Sequence, residues 1–201
     1  GTGGEAPGSG YFFRTADRKA PHNAYISADG IAKACAELGY PTGLRNGYYN
    51  AKHFTFANGV NTLAQYGTSA VTANAIDLAN IFPYTKSAFT YNAVDGLYYK
   101  SIHGKPQTDG LNGQQIAFAN VIVQNTKWAA LDAKGYLTFQ NYDYTEDGYY
   151  FTKGKCIHIR WAKTGDYTPT IYYDDLGNEI QLNEGKTYIA IAQKGRMPAF
   201  Q

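Results

Sequence analysis

The stretch Lys155-Cys156-Ile157-His158-Ile159-Arg160-Trp161 has the cleanest alternation in the chain. Ile157, Ile159 and Trp161 fall on one face, and Cys156, His158 and Arg160 on the other. A period of two is the signature of a strand with two distinct faces. Working outward, short apolar runs separated by turn residues continue this theme. They place strands at 75–81, 87–91, 97–102, 121–125, 136–140, 149–152, 156–162, 170–173, 179–182 and 187–192. Asp174-Asp175-Leu176-Gly177-Asn178 reads as a hairpin loop, and Gly185-Lys186 opens the last strand. A second short helix is placed near Gly113–Asn120.

The N-terminal part has a different pattern. Arg14, Asp17, Arg18, Lys19, His22 and Asn23 form one short polar run. A helix over 28–38 follows. Ser27 suits the N-cap, and Asp29 suits the positive end of the helix dipole. Ile31, Cys35 and Leu38 repeat at helical spacing, Gly39 supplies the left-handed stop, and Pro41 blocks continuation. Residues 60–72 show no clear period. The expected fold class is α+β: a helix-bearing N-terminal part and a mainly antiparallel, β-rich C-terminal region. The boundary is expected near 60–74, giving units 1–70 and 71–201.

The 201 residues carry a net charge of +2, with 17% charged residues, 19 Tyr and 22 Gly. Near-neutral charge offers no electrostatic case for nucleic acid or an anionic membrane. Tyr favours pleated, half-buried surfaces, and Gly serves turns. Together with abundant Asn and Thr, this leans toward an extracytoplasmic β-rich protein. No run of about 18 apolar residues is present. The two cysteines, Cys35 and Cys156, have no C-x-x-C spacing, which disfavours thiolate zinc and dithiol redox chemistry. They allow either one long-range disulfide or two unpaired small apolar side chains.

Arg18-Lys19-Ala20-Pro21-His22-Asn23-Ala24-Tyr25 resembles the R-x-A-P-H-N-x-Y signature of the YerB-like lipoproteins of Gram-positive bacteria. Gly104-Lys105-Pro106-Gln107-Thr108-Asp109 is similar to the family's G-K-P-H-x-D segment. Asn120 to Gln124, Gly154 to Lys163 and Gly177 to Ile189 resemble its central strand and closing region. Two positions depart from the pattern: Gln107 stands where the family has His, and Tyr188 stands where it has Trp. The resemblance covers roughly residues 10–192. It implies a cell-envelope location, a further N-terminal segment and a lipid anchor ahead of Gly1. It makes 1–70 the end of the family's N-terminal domain and implies no particular reaction.

The candidate ligand-binding residues are Arg14, Arg18, His22, Asn23 and Tyr25. Cations beside a helix N-terminus suit an anionic or glycan-phosphate ligand. The expected partner is such an envelope component or another protein, with membrane association only through the anchor. The competing reading is a hydrolase or transferase acting on envelope polymers. There His22 would be the general acid–base and Asp109 or Asp17 would orient it. His22, His53, His103 and His158 share no metal-ligand spacing, so no metal and no cofactor is expected. Ser9, in Gly8-Ser9-Gly10, lacks the frame of a nucleophile elbow. Asp174, Asp175 and Glu179 fall in the expected hairpin loop, where carboxylates are solvated. Tyr98-Tyr99, Tyr149-Tyr150 and Tyr172-Tyr173 read as packing, and Tyr142 and Tyr144 as exposed.

Overall fold

The computed structural model describes residues 9–43, 53–142, 144–165 and 167–201. The expected loop at Asn46-Gly47, most of the glycine-rich start and the Tyr144 side chain lie outside the described residues. Contacts divide the chain into two compact units, Gly1–Asn50 and Ala51–Gln201.

In the first unit, β1 (Phe12–Arg14) pairs antiparallel with β2 (Ala24–Ile26), and α1 (Ala28–Leu38) follows. Helix α1 has the expected bounds. The Gly30 N–H donates to Ser27 Oγ at 3.0 Å, and Gly39 ends the helix at φ 68°, a left-handed conformation that favours glycine. Gly30 also permits a close approach, since a Cβ there would lie 2.8 Å from the Tyr11 carbonyl oxygen.

The second unit runs through β3 (Val71–Thr72), β4 (Ala75–Asp77), β5 (Ala88–Asn92), β6 (Leu97–Ile102), β7 (Lys105–Pro106) and β8 (Ala117–Phe118). It continues with β9 (Asn120–Thr126), β10 (Trp128–Ala130), β11 (Leu137–Phe139), β12 (Tyr144–Thr152), β13 (Lys155–Lys163), β14 (Ile171–Tyr173), β15 (Thr187–Gln193) and β16 (Ala199–Phe200). One sheet has the order β14-β13-β12-β9-β15, with β3 on the start of β13. All its pairs are antiparallel except β9 with β15. The other sheet has the order β16-β4-β5-β6-β7, with β8 continuing the β6 edge. Strands β10 and β11 form a separate hairpin.

The expected α+β class is corrected by this architecture: the chain is mainly β. Helix α1 is the only α-helix among the described residues. The N-terminal part is not helical in character, because Phe12–Ile26 forms a hairpin around the Pro21 loop. Residues 60–72, expected before or at the boundary, belong by contacts to the β unit. The helix expected at 113–120 is instead strand β8, held by pairing with Tyr98 and Tyr99. The strand expected at 75–81 stops at Asp77, whose carboxylate accepts the Ala79 N–H at 2.7 Å and turns the chain.

Alternation along β13 works as its sequence requires. Cys156 joins Val121, Val123, Phe151, Ala190 and Ala192 in the layer between the sheets, against Ile76, Phe89 and Tyr98. Ile157, Ile159 and Trp161 face the other way, onto Tyr150, Tyr172, Leu63 and Leu182. Each fully buried large side chain contributes about 2–3 kcal/mol of apolar burial. The Trp161 indole N–H donates to the Asn125 carbonyl at 2.7 Å, and the Tyr98 hydroxyl donates to that of Ala73 at 2.9 Å. The core therefore leaves these polar tips satisfied. Both cysteines are free thiols, and burial pushes that of Cys156 up.

Candidate functional site

The β1–β2 hairpin gathers three of the five expected ligand-binding residues. Arg14 Nη1 donates to Asn23 Oδ1 at 2.7 Å, and Asn23 Nδ2 donates to the Thr15 carbonyl at 2.9 Å. Asn23 thus locks the hairpin while it holds the guanidinium in place. The register sets Phe13 opposite Tyr25, and their rings stack at 6.0 Å between centroids. Both rings are exposed, Phe13 at 51% and Tyr25 at 38%. Arg14 follows Phe13 in β1, so its side chain leaves the hairpin on the face opposite the Phe13–Tyr25 pair. The hairpin thus offers a positioned guanidinium that suits an anionic group and, on its other face, open rings that suit an apolar one.

The other expected members are placed differently. The Arg18 guanidinium lies 3.4 Å from the Asp17 carboxylate, with both side chains exposed. The His22 backbone N–H donates to Lys19 O, and its exposed ring makes no hydrogen bond to a described residue. At the helix start the Ser27 side chain caps the Gly30 N–H, and Asp29 lies in the first turn. Asp109 Oδ1 accepts the Leu111 N–H at 2.8 Å and shapes its own turn.

A histidine–carboxylate constellation does exist elsewhere. His158 Nδ1 lies 2.6 Å from Asp175 Oδ1, and its Nε2 lies 3.4 Å from Asp147 Oδ1. Arg160 Nε stands 3.9 Å from the same Asp147 oxygen. The two carboxylates meet opposite ring nitrogens, so they cannot converge with the ring on one ion. No group of three His, Cys, Asp or Glu side chains suited to a metal occurs among the described residues. Only Nδ1 forms a hydrogen bond, and Nε2 faces the exposed Asp147 at ion-pair distance. This is a surface brace. Half of its signal was in the sequence. Lys153-Gly154, both at positive φ, make a two-residue hairpin turn. Counting outward from it sets Asp147 opposite Arg160 and Tyr149 opposite His158. Asp175, beyond a second hairpin, had no such signal.

The two departures from the resembled pattern meet at one side chain. Lys100 Nζ donates to Gln107 Oε1 at 2.7 Å and lies 5.1 Å from the Tyr188 ring centre. Lys100 is only 8% exposed, and burial holds its pKa below the ordinary lysine value. His103, the first residue past β6, sits with Gly104 at positive φ in the β6–β7 hairpin. His53 tilts against Phe54. Three cavities in the second unit are lined variously by Asp77 and Lys86, by Glu179, and by Arg196, and none of them by histidine.

The fold is that of a mainly β protein with a hydrogen-bonded N-terminal hairpin. A family model described as "Protein of unknown function (DUF3048) C-terminal domain" matches residues 77–189, and the chain belongs to that family. It is similar in fold to the YerB protein from Bacillus subtilis, whose crystal structure matches it with a TM-score of 0.71 at 20% sequence identity. That match covers 95% of this chain and 59% of the YerB chain, so this chain spans less than two thirds of that relative. No curated protein matches. Among the described residues, no helix is long and apolar enough to cross a membrane.

Proposed function

We propose that this chain is a non-catalytic module of the cell envelope that binds an anionic, glycan-containing polymer through the β1–β2 hairpin. One observation carries the reading: Asn23 holds the Arg14 guanidinium in place on a hairpin whose other face bears the exposed Phe13–Tyr25 stack. Lys19 and Arg18 add positive charge on the same loop, against the single carboxylate of Asp17. The envelope location is supported by the Tyr-rich, charge-poor composition and by the resemblance to YerB-like lipoproteins.

The competing hydrolase reading needs His22 within hydrogen-bond reach of a carboxylate. Asp17 is turned to Arg18, and Asp109 to its own loop. Burial raises the Cys156 thiol, which keeps it protonated and unreactive. Binding is therefore the reading the geometry favours.

A thermal-shift assay tests it, because a ligand that binds the native state raises the melting temperature. A glycerol-phosphate oligomer or oligogalacturonate raises the melting temperature of the full chain, and neutral dextran does not. Arg14→Ala and Tyr25→Ala each remove the shift. A shift that survives both substitutions contradicts the assignment.

A further inference from the structure

We infer that the second unit carries a separate binding site for a neutral saccharide, in the polar cavity between the 57–66 segment and the strand-like run Glu179–Gln181. The cavity encloses about 370 Å³. Its wall presents Asn58, Thr62, Gln65, Tyr66, Glu179 and Gln181. With Asn61, which also lines it, that is four primary amides, two hydroxyls and one carboxylate, and no Lys, Arg or His lines the cavity.

This set of groups selects a ligand by chemistry. A primary amide offers donors and an acceptor together, as does each hydroxyl of a sugar. Neighbouring sugar hydroxyls can therefore satisfy Asn58 and Gln181 in both senses. An anion would meet Glu179 with no cation to offset it. An apolar ligand would strand the amides without hydrogen bonds. The Tyr66 ring supplies an apolar patch for the C–H face of a pyranose. The volume falls at the small end of ligand pockets and holds about one or two sugar rings.

The wall is also set in advance of any ligand. Asn61 Nδ2 donates to the Gln181 carbonyl at 2.7 Å, and Asn61 Oδ1 accepts from the Leu63 N–H at 3.0 Å and from Gln65 Nε2 at 3.3 Å. The Thr55 hydroxyl donates to Glu179 Oε1, which holds the carboxylate at the cavity wall. The Tyr66 hydroxyl donates to Asp174 Oδ2 at 3.3 Å, fixing the ring. Leu63 holds a left-handed backbone, φ 60°, with its side chain fully buried. Such a conformation persists only where the surroundings over-determine it. By contrast, the side chains of Asn58, Thr62 and Gln181 have no hydrogen-bond partner among the described residues. They are the groups free to meet a ligand.

This site shares no residue with the β1–β2 hairpin, and its proposal does not rest on the hairpin reading. The test is calorimetric titration of the full chain with three neutral probes, cellotetraose, N-acetylated chitotetraose and maltotetraose. At least one binds. Asn58→Ala and Gln181→Ala each weaken it by about tenfold or more. Both side chains are exposed, so these variants keep the parent melting curve. The proposal is overturned if none of the three binds, if both cavity variants bind as the parent does, or if oligogalacturonate or tetra-alanine occupies the cavity in preference to all three sugars.

Discussion

Asn61 and Asn183 clasp each other across the second unit. The Asn61 backbone N–H donates to Asn183 Oδ1 at 2.8 Å, and Asn183 Nδ2 donates back to the Asn61 carbonyl at 2.8 Å. Asn183 Nδ2 also donates to Thr152 Oγ1 at 2.7 Å, and its backbone N–H reaches Asn120 Oδ1 at 3.1 Å. The Tyr150 hydroxyl donates to that same Asn120 oxygen at 2.7 Å, and burial pushes its pKa up to about 12. The network is buried and satisfied, the condition under which such a cluster specifies one packing. It ties the aperiodic 60–72 stretch to the sheet.

Asn183→Ala removes the clasp and leaves several buried groups unpaired. It should lower unfolding stability by about 2–4 kcal/mol. Urea denaturation followed by tryptophan fluorescence measures this. A loss below about 0.5 kcal/mol, the range of ordinary surface substitutions, would show that the network is dispensable.

Gly148 lies in the middle of β12, opposite Gln124 and Ile159. A Cβ there would stand 2.6 Å from the Val123 carbonyl oxygen and 3.3 Å from Ile159 Cγ1. Backbone cannot withdraw as a flexible side chain can. Gly148→Ala should therefore destabilise by about 1–3 kcal/mol, the range for overpacking. Gly165→Ala has open space around it and should be close to neutral. Thermal melts of the two variants check the contrast, and equal effects would contradict it.

Lys100 gives a pH-dependent signature. Its pKa in the fold lies below that of the unfolded chain, because burial disfavours the ammonium. Between the two values the unfolded chain binds more protons, so this residue's contribution to stability rises with pH toward about 10.4. Lys100→Met removes the titration and should be neutral or stabilising at pH 7, by about 0–2 kcal/mol. The stability of the parent relative to Lys100→Met should then climb as pH rises from 7 to 10. A difference that stays flat with pH would contradict a desolvated Lys100.

Much of the local structure was legible in the chain. Helix α1 could be read with both ends, since Ser27 and Gly39 act within their own turn. The same holds for β6 and for the two faces of β13. What failed was decided at long range. The first half of β12 was missed because Thr145-Glu146-Asp147-Gly148 reads as a turn. In the fold, Glu146 is buried with Lys194 Nζ 2.5 Å away, and Gly148 admits a neighbouring carbonyl. Residues 60–72 show no period, and the Asn183 side chain holds them at both the N–H and the carbonyl of Asn61, bonds of which periodicity carries no trace. At the candidate site, Arg14 and Asn23 were legible because one short loop joins them. The Asp175 contact to His158 was not, since two strands and a hairpin loop intervene.

The most direct measurement of the central claim is one calorimetric titration of the full chain with a glycerol-phosphate oligomer, followed by mass spectrometry of the same oligomer after prolonged incubation. Binding by parent protein, loss of about tenfold or more in affinity for Arg14→Ala, and an oligomer of unchanged length are the predicted results. Unaltered affinity in Arg14→Ala, or shortening of the oligomer by parent protein, would contradict a non-catalytic module that binds through the β1–β2 hairpin.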